Sequence, residues 1–193
     1  PAGQQMIALN PAGAFFAPIK LTFFVALFAA APWLLYQAWA FIAPGLYRKE
    51  KRYVIPFLVF SVILFVLGAS FCYVFVLPRA YAFLINLGSS FDAMIDIKEY
   101  LDLTNMMLLG FGIIFEMPVL AGFLALFGLV SAKFLVSKFK YAILCIVILA
   151  AIISPTPDAL NLIVWTIPMI LLYLVSIGVV ALIDLRRRRK ESA

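Results

Sequence analysis

The chain has 193 residues, of which 66% are hydrophobic and 12% charged, and Lys plus Arg outnumber Asp plus Glu by 15 to 9. A soluble domain of this size buries about 70% of its unfolded surface and covers the rest with polar side chains, about a quarter of its residues being charged. This composition, with a mean hydropathy of +1.13, cannot supply such a skin. It places the chain in a bilayer and excludes a soluble domain, a disordered chain, a nucleic-acid binder and a disulfide scaffold. Histidine is absent, which removes the commonest general base and metal ligand. Cys72 and Cys145 both sit in apolar runs and read as small core residues.

In chain order, Pro1-Ala2-Gly3 opens without a basic n-region and an apolar h-region, so no secretory signal is read there. A bilayer core asks for roughly 20 apolar residues per helix. Five spans meet or approach this, at about 21–42, 54–77, 104–130, 141–153 and 161–183. In lipid they must be helices, since an open strand edge leaves backbone groups unsatisfied. Pro32, Pro118 and Pro168 fall inside spans and should kink them. The expected fold is therefore all-α: one integral membrane domain over 1–193, a kinked, cupped bundle whose last two helices are short. The external loop before the third span carries Tyr100, Leu101 and Leu103, which suggest a short interfacial helix.

The fourth span is thirteen residues long. At 1.5 Å per residue it reaches only about 20 Å, short of a ~30 Å hydrocarbon core. A re-entrant hairpin and a crossing in a thinned bilayer compete here, and charge favours the crossing. Lys133, Lys138 and Lys140 precede the span, and Arg186 to Lys190 follow the fifth, so the intervening turn belongs on the opposite side. Twelve of the fifteen basic residues lie in the 43–53 loop, the 130–140 loop and the tail, and positive charge marks the cytoplasmic side. The amino terminus is then outside and the carboxyl terminus inside. One further helix upstream, entering from the cytoplasm, is the simplest way to deliver that terminus.

Three places combine residues that carry chemistry. In the first cytoplasmic loop, Glu50 is the sole acid among Arg48, Lys49, Lys51 and Arg52. It either balances charge in a solvated loop or serves as a receptor carboxylate. In the second reading it lies just before a helix amino end, which favours negative charge. There it can take a guanidinium in a two-pronged hydrogen bond, with Phe41, Leu46 and Tyr47 as an apolar floor. Glu116 lies mid-span, followed by Met117 and Pro118. An ionised carboxylate there costs about 2.5–3.5 kcal/mol on insertion scales. It is either a functional group facing a concave, partly watered surface, or a protonated acid bonded to a carbonyl freed by Pro118. At the outer turn, Pro155, Thr156, Pro157 and Asp158 follow Ser154, with Asn161 nearby. They form a plain Pro-rich turn capped by Asp158, or a polar notch where a partner helix with one polar residue docks. The arginine run 186–189 reads as a stop-transfer and lipid anchor.

In these places the sequence resembles the TatC family, the multispanning receptor subunits of the twin-arginine protein translocase. Phe15-Phe16-Ala17-Pro18-Ile19-Lys20 looks like the family's entry to its second helix. Pro32, Gln37 and the stretch Phe41 to Arg52 look like that helix and the loop after it. Gly68, Phe71, Tyr73 and Pro78 fit the third helix, Phe115-Glu116-Met117-Pro118 the fourth, Ser154 to Asp158 the turn between fifth and sixth, and Pro168, Leu172, Tyr173 and Ser176 the last. The five spans then correspond to the family's second to sixth helices, the first being absent. The resemblance implies a bacterial inner-membrane receptor that binds Arg-Arg signal peptides of folded cargo. Glu50 would pair with a signal arginine, in a site made with Phe41, Tyr47, Arg48, Lys49, Lys51 and Arg52. It also implies single-span partners of the TatA and TatB type near the last two helices, self-association in a larger receptor complex, and transport driven by the proton gradient with no cofactor. In keeping with that, no GxxxxGK loop is present. A small-solute transporter with Glu116 as its coupling site and a structural membrane subunit are the alternatives; no nucleophile–base pair or metal cluster points to an enzyme.

Overall fold

The computed structural model describes residues 6–7, 11–42, 54–87, 95–153 and 159–191. Among them nearly everything is helical. Helix α1 covers Pro11–Ile42 and α2 Val54–Phe71. A five-residue π-helical stretch, Cys72–Val76, joins α2 to α3, Leu77–Leu87. Helices α4 (Ile97–Ile114) and α5 (Met117–Leu126) share one path, and α6 (Ala132–Ser137), α7 (Phe139–Ile153) and α8 (Ala159–Glu191) complete the order. Two strands of two residues each, β1 (Met6–Ile7) and β2 (Ile95–Asp96), pair in parallel and tie the amino-terminal segment to the start of α4.

Among the described residues, four helical runs are long and apolar enough to cross a membrane: Phe15–Phe41, Ile55–Asn86, Ile97–Leu126 and Trp165–Arg187. The fifteen-residue α7 is apolar but shorter. The expected pair of short final helices is half met, since α8 runs for 33 residues: its ladder continues past the apolar stretch into the arginine-rich tail. Nor is there a separate interfacial helix at 100–103. Tyr100, Leu101 and Leu103 belong to α4 itself, whose start is capped by Asp96, its side chain accepting from the Lys98 N–H at 3.1 Å.

Prolines act differently from site to site. Helix α1 runs through Pro18 and Pro32 and α8 through Pro168 without interruption. Ahead of Pro78 the chain widens: the Leu77 N–H donates to the Cys72 carbonyl five residues back. Proline lacks an N–H and crowds the carbonyl four residues before it, and the wider turn takes up that conflict. Pro118 breaks the path outright. Phe115 and Glu116 form a turn between α4 and α5, with the Glu116 N–H donating to the Ile113 carbonyl at 3.1 Å, only three residues back.

The main core gathers Cys72, Leu77, Ala80, Met107, Phe111, Ile114, Ile146, Ala150, Trp165, Met169 and Tyr173, so the π-helical stretch, α3, α4, α7 and α8 meet there. A second cluster joins Trp39 of α1 to Val119 and Phe123 of α5. Cys72 is a core residue, as expected from its apolar surroundings. Cys145 is not: it is exposed on α7, where apolar neighbours such as Leu144 and Ile148 are exposed as well. In a bilayer span the apolar residues outside the core face lipid, so an apolar run does not separate core from lipid face.

Candidate functional site

Phe41 lies in the last turn of α1 and is 87% exposed. Tyr47, Arg48, Lys49, Glu50, Lys51 and Arg52 lie outside the described residues, in the segment that joins Ile42 to Val54. Pro155, Thr156, Pro157 and Asp158 lie outside them too, between α7 and α8, and Asn161 falls in the first turn of α8. Within the described residues no three His, Cys, Asp or Glu side chains come close enough to hold a metal ion.

Glu116 is the intramembrane residue whose surroundings are fully described. It sits at the α4–α5 turn and is 7% exposed. Ser61 of α2 lies close to it. Its Oε1 is buried without a partner. Ser61 is fully buried and also accepts from the Trp39 indole N–H, at 3.0 Å. The Trp39 ring is itself wedged, 4.6 Å from the Phe123 ring and 5.8 Å from that of Phe57. Three helical paths thus meet at one acid.

Sequence reasoning did not single out Trp39 or Ser61. The available signal was faint: one serine in the middle of an apolar span, and one tryptophan two residues before Phe41. On α4, ahead of the Glu116 turn, Asn105 is 4% exposed and its Nδ2 is likewise unpartnered.

Two ion and hydrogen-bond clasps fix the ends of the bundle. Lys20 of α1 pairs with Asp102 of α4 at 2.8 Å. At the other end Asp184 of α8 accepts from the Ala132 N–H, the first residue of α6, at 2.9 Å. Two apolar grooves of about 340 Å³ open between helices, one lined by Phe57, Leu64, Pro118 and Val179 among others. The other is lined by Phe71, Phe75, Trp165 and Pro168, with Arg79 beside them.

Residues 1–168 match the family model described as "Sec-independent protein translocase protein (TatC)". The chain is 49% identical over 188 residues to the Sec-independent protein translocase protein TatC of Koribacter versatilis (strain Ellin345), covering 97% of this chain and 69% of that one. It is 43% identical over 176 residues to the protein of the same name from Desulforapulum autotrophicum, covering 91% and 65%. The chain therefore spans about two thirds of the length of these relatives. Its fold matches a crystal structure of the twin-arginine translocase receptor TatC with a TM-score of 0.80 and 36% identity, over 94% of this chain and 80% of that one. The helical bundle with its four long apolar spans, the Pro118 break beside Glu116 and these matches agree: the chain belongs to the TatC family, multi-pass membrane components of the bacterial Sec-independent protein translocase and not enzymes.

Proposed function

We propose that the chain is the signal-reading part of a twin-arginine translocase receptor in the bacterial cytoplasmic membrane. Its reading face is the cytoplasmic loop between α1 and α2, where Glu50 takes an arginine of an Arg-Arg signal peptide. Phe41 and Tyr47 floor the pocket, and Arg48, Lys49, Lys51 and Arg52 keep it from collecting cations at large. The observation that carries this reading is the match to the solved receptor over 94% of the chain. The exposed Phe41 at the end of α1 supports it, because a buried ring could not meet a peptide. Single-span partners of the TatA and TatB type dock near α7 and α8 and at the 155–158 turn with Asn161, copies of the receptor associate, and the proton gradient drives transport. The whole chain forms one membrane domain, amino terminus outside and carboxyl terminus in the cytoplasm. Glu116 acts within the membrane in the transport step.

Cross-linking of an Arg-Arg signal peptide to the full-length protein in native membranes tests the reading. Glu50→Gln should reduce it roughly ten- to a hundredfold, the range of a hydrogen bond to a charged group. Unchanged cross-linking in that variant would sink the assignment of Glu50.

A further inference from the structure

Arg79 sits at a depth that the helical rise fixes. It lies twenty-four residues beyond Ile55, where the apolar run of its helical path begins. At 1.5 Å per residue that is about 36 Å, past a ~30 Å hydrocarbon core and within the roughly 40–45 Å that includes the headgroups. An arginine at that level ordinarily stretches away from the lipid tails towards water. This one folds back towards the middle of the membrane. Its Nη1 donates to the Phe75 carbonyl, one turn earlier, at 2.7 Å, and its Cζ lies 5.8 Å from the centre of the Phe75 ring.

The fold sets this guanidinium at the rim of a groove of about 340 Å³. Phe71, Phe75, Trp165, Pro168 and Leu171 line it, so it runs between the α2–α3 path and the first half of α8. Phe75 and Leu171 are about half exposed, and the groove is open at the surface of the bundle. In a bilayer an empty groove forfeits dispersion contacts along its lining, and the surrounding lipid supplies a filler. A partner helix fits less well. Close-packed membrane helices meet through small residues, and Ala80 is the single small residue of this lining.

Charge points the same way. A guanidinium has five N–H donors, and the Phe75 carbonyl takes one of them. Among the described residues the one ion pair joins Lys20 and Asp102, so no described carboxylate neutralises Arg79. A phosphate offers two adjacent oxygens and a negative charge, the pattern that a guanidinium fork matches.

We infer that the Arg79 groove binds one anionic phospholipid, its phosphate on the guanidinium and an acyl chain along Phe75, Pro168 and Leu171. The backward fold of Arg79 joins the two halves of the site, because it brings the cation down to where a chain enters the groove. A zwitterionic headgroup carries its own ammonium beside the phosphate and cancels the net charge, so the site prefers phosphatidylglycerol to phosphatidylcholine. The lipid belongs to the outer leaflet on the orientation proposed above; the site itself does not depend on that orientation.

The test reconstitutes full-length protein in phosphatidylcholine vesicles containing about one fifth phosphatidylglycerol, with the chains of one or the other lipid brominated. Bromine quenches nearby indoles, and the signal of Trp165 is the fluorescence that Trp165→Phe removes. A fivefold preference, the effect of about one basic side chain at an anionic surface, makes the share of phosphatidylglycerol beside Trp165 roughly two to three times its share of the vesicle. Arg79→Gln should bring that share down to the vesicle value. Lys98→Gln, which removes an exposed charge at the start of α4, should leave it raised. Millimolar glycerophosphate, a headgroup without chains, should not lower it. Quenching in simple proportion to composition overturns the proposal, as does an excess that survives Arg79→Gln, that Lys98→Gln abolishes equally, or that glycerophosphate removes. The same measurement on the receptor bound to its single-span partners should keep the excess; its loss there would give the groove to a partner helix and overturn the lipid site.

Discussion

The Nζ of Lys20 lies 2.8 Å from both carboxylate oxygens of Asp102. The pair joins the early turns of α1 to the first turns of α4, across 82 positions of sequence. A direct contact requires that the two residues share one end of the bundle. Asp184 and Ala132 meet at the other end. The up-and-down order of α1, α4 and α8 thus follows from two contacts independent of hydropathy.

The Lys20–Asp102 pair should contribute modestly to stability. The two side chains are 42% and 36% exposed, and exposed pairs couple by about 0.2–1 kcal/mol. Lys20→Met and Asp102→Asn, singly and together, in thermal unfolding of the detergent-solubilised protein, measure the coupling. We expect a value in that range that shrinks as salt is raised. A coupling of zero at low salt would show that the contact forms without holding the bundle.

Much of this architecture was legible because bilayer physics leaves few choices. Long apolar runs must become helices, and basic loops state their direction. What escaped was anything set by which neighbour a residue meets. The reach of α4 back to Ile97 was missed because Lys98, Glu99 and Asp102 interrupt the apolar pattern, although Asp102 is neutralised by Lys20. Cys145 was misplaced because lipid-facing and core residues are chemically alike. Glu116 was legible as costly, and its cost as a reason for function, but not its neighbours. Nothing in the spacing of Trp39, Ser61 and Glu116 announces that three helical paths bring them together.

The closest approach between helices should be intolerant of a methyl group. A Cβ built on Gly68 of α2 would lie 2.7 Å from the Phe111 carbonyl oxygen and 2.8 Å from the Phe115 Cβ. One built on Gly112 would meet the far edge of the Phe65 ring at 2.6 Å. Backbone cannot move aside, whereas a ring edge can tilt. Gly68→Ala should therefore lower the unfolding temperature more than Gly112→Ala, by an overpacking cost of about 1–3 kcal/mol. Gly178→Ala, with nothing within 4 Å, should be neutral. Equal effects at 68 and 178 would contradict the close contact of α2 and α4.

A second glycine requirement lies in the turn before α6. Gly128 has φ of +70°, where a Cβ costs about 1–2 kcal/mol, and a Cβ there would also collide with the Arg187 guanidinium. Its turn leads to the clasp between Asp184 and the Ala132 N–H. Gly128→Ala and Asp184→Ala should each loosen this end, seen as faster amide exchange over residues 129–135. Asp184→Asn keeps an acceptor oxygen and should do so less. Exchange unchanged in Asp184→Ala would mean that Ser131, whose Oγ accepts from the Phe134 N–H, holds α6 alone.

Substitutions at Glu116 should separate recognition from transport. We expect Glu116→Ala to impair transport strongly while signal-peptide cross-linking stays near normal, because the residue lies at the α4–α5 turn and not in the cytoplasmic loop. Glu116→Gln keeps the side chain's shape and a carbonyl oxygen and should be milder. Normal transport by Glu116→Ala would leave the residue as a structural neighbour of the Pro118 break and nothing more.

Helix α7 should sit in a thinned bilayer. Its fifteen residues span about 22 Å at 1.5 Å each, against a hydrocarbon core of ~30 Å. Its start is anchored: the ammonium groups of Lys138 and Lys140 lie 5.5 and 5.1 Å from the centre of the Tyr141 ring, an arrangement suited to the lipid headgroup boundary. Cys145 is exposed near the middle of α7 while Cys72 is buried, so a nitroxide reagent should label Cys145 alone. Labels there and at the exposed positions Tyr141, Leu144, Ile148 and Ile152 report depth through their accessibility to oxygen against a polar relaxant. A thinned crossing predicts a profile that is deepest near Cys145 and shallow at both Tyr141 and Ile152, with a maximum depth near 11 Å, half the helix length. A maximum near 15 Å would indicate a bilayer of ordinary thickness. Depth that rises steadily from Tyr141 to Ile152 would instead mean that the helix stops inside the membrane. In that case α7 and the start of α8 form a re-entrant hairpin, and the 155–158 turn cannot serve an outer partner.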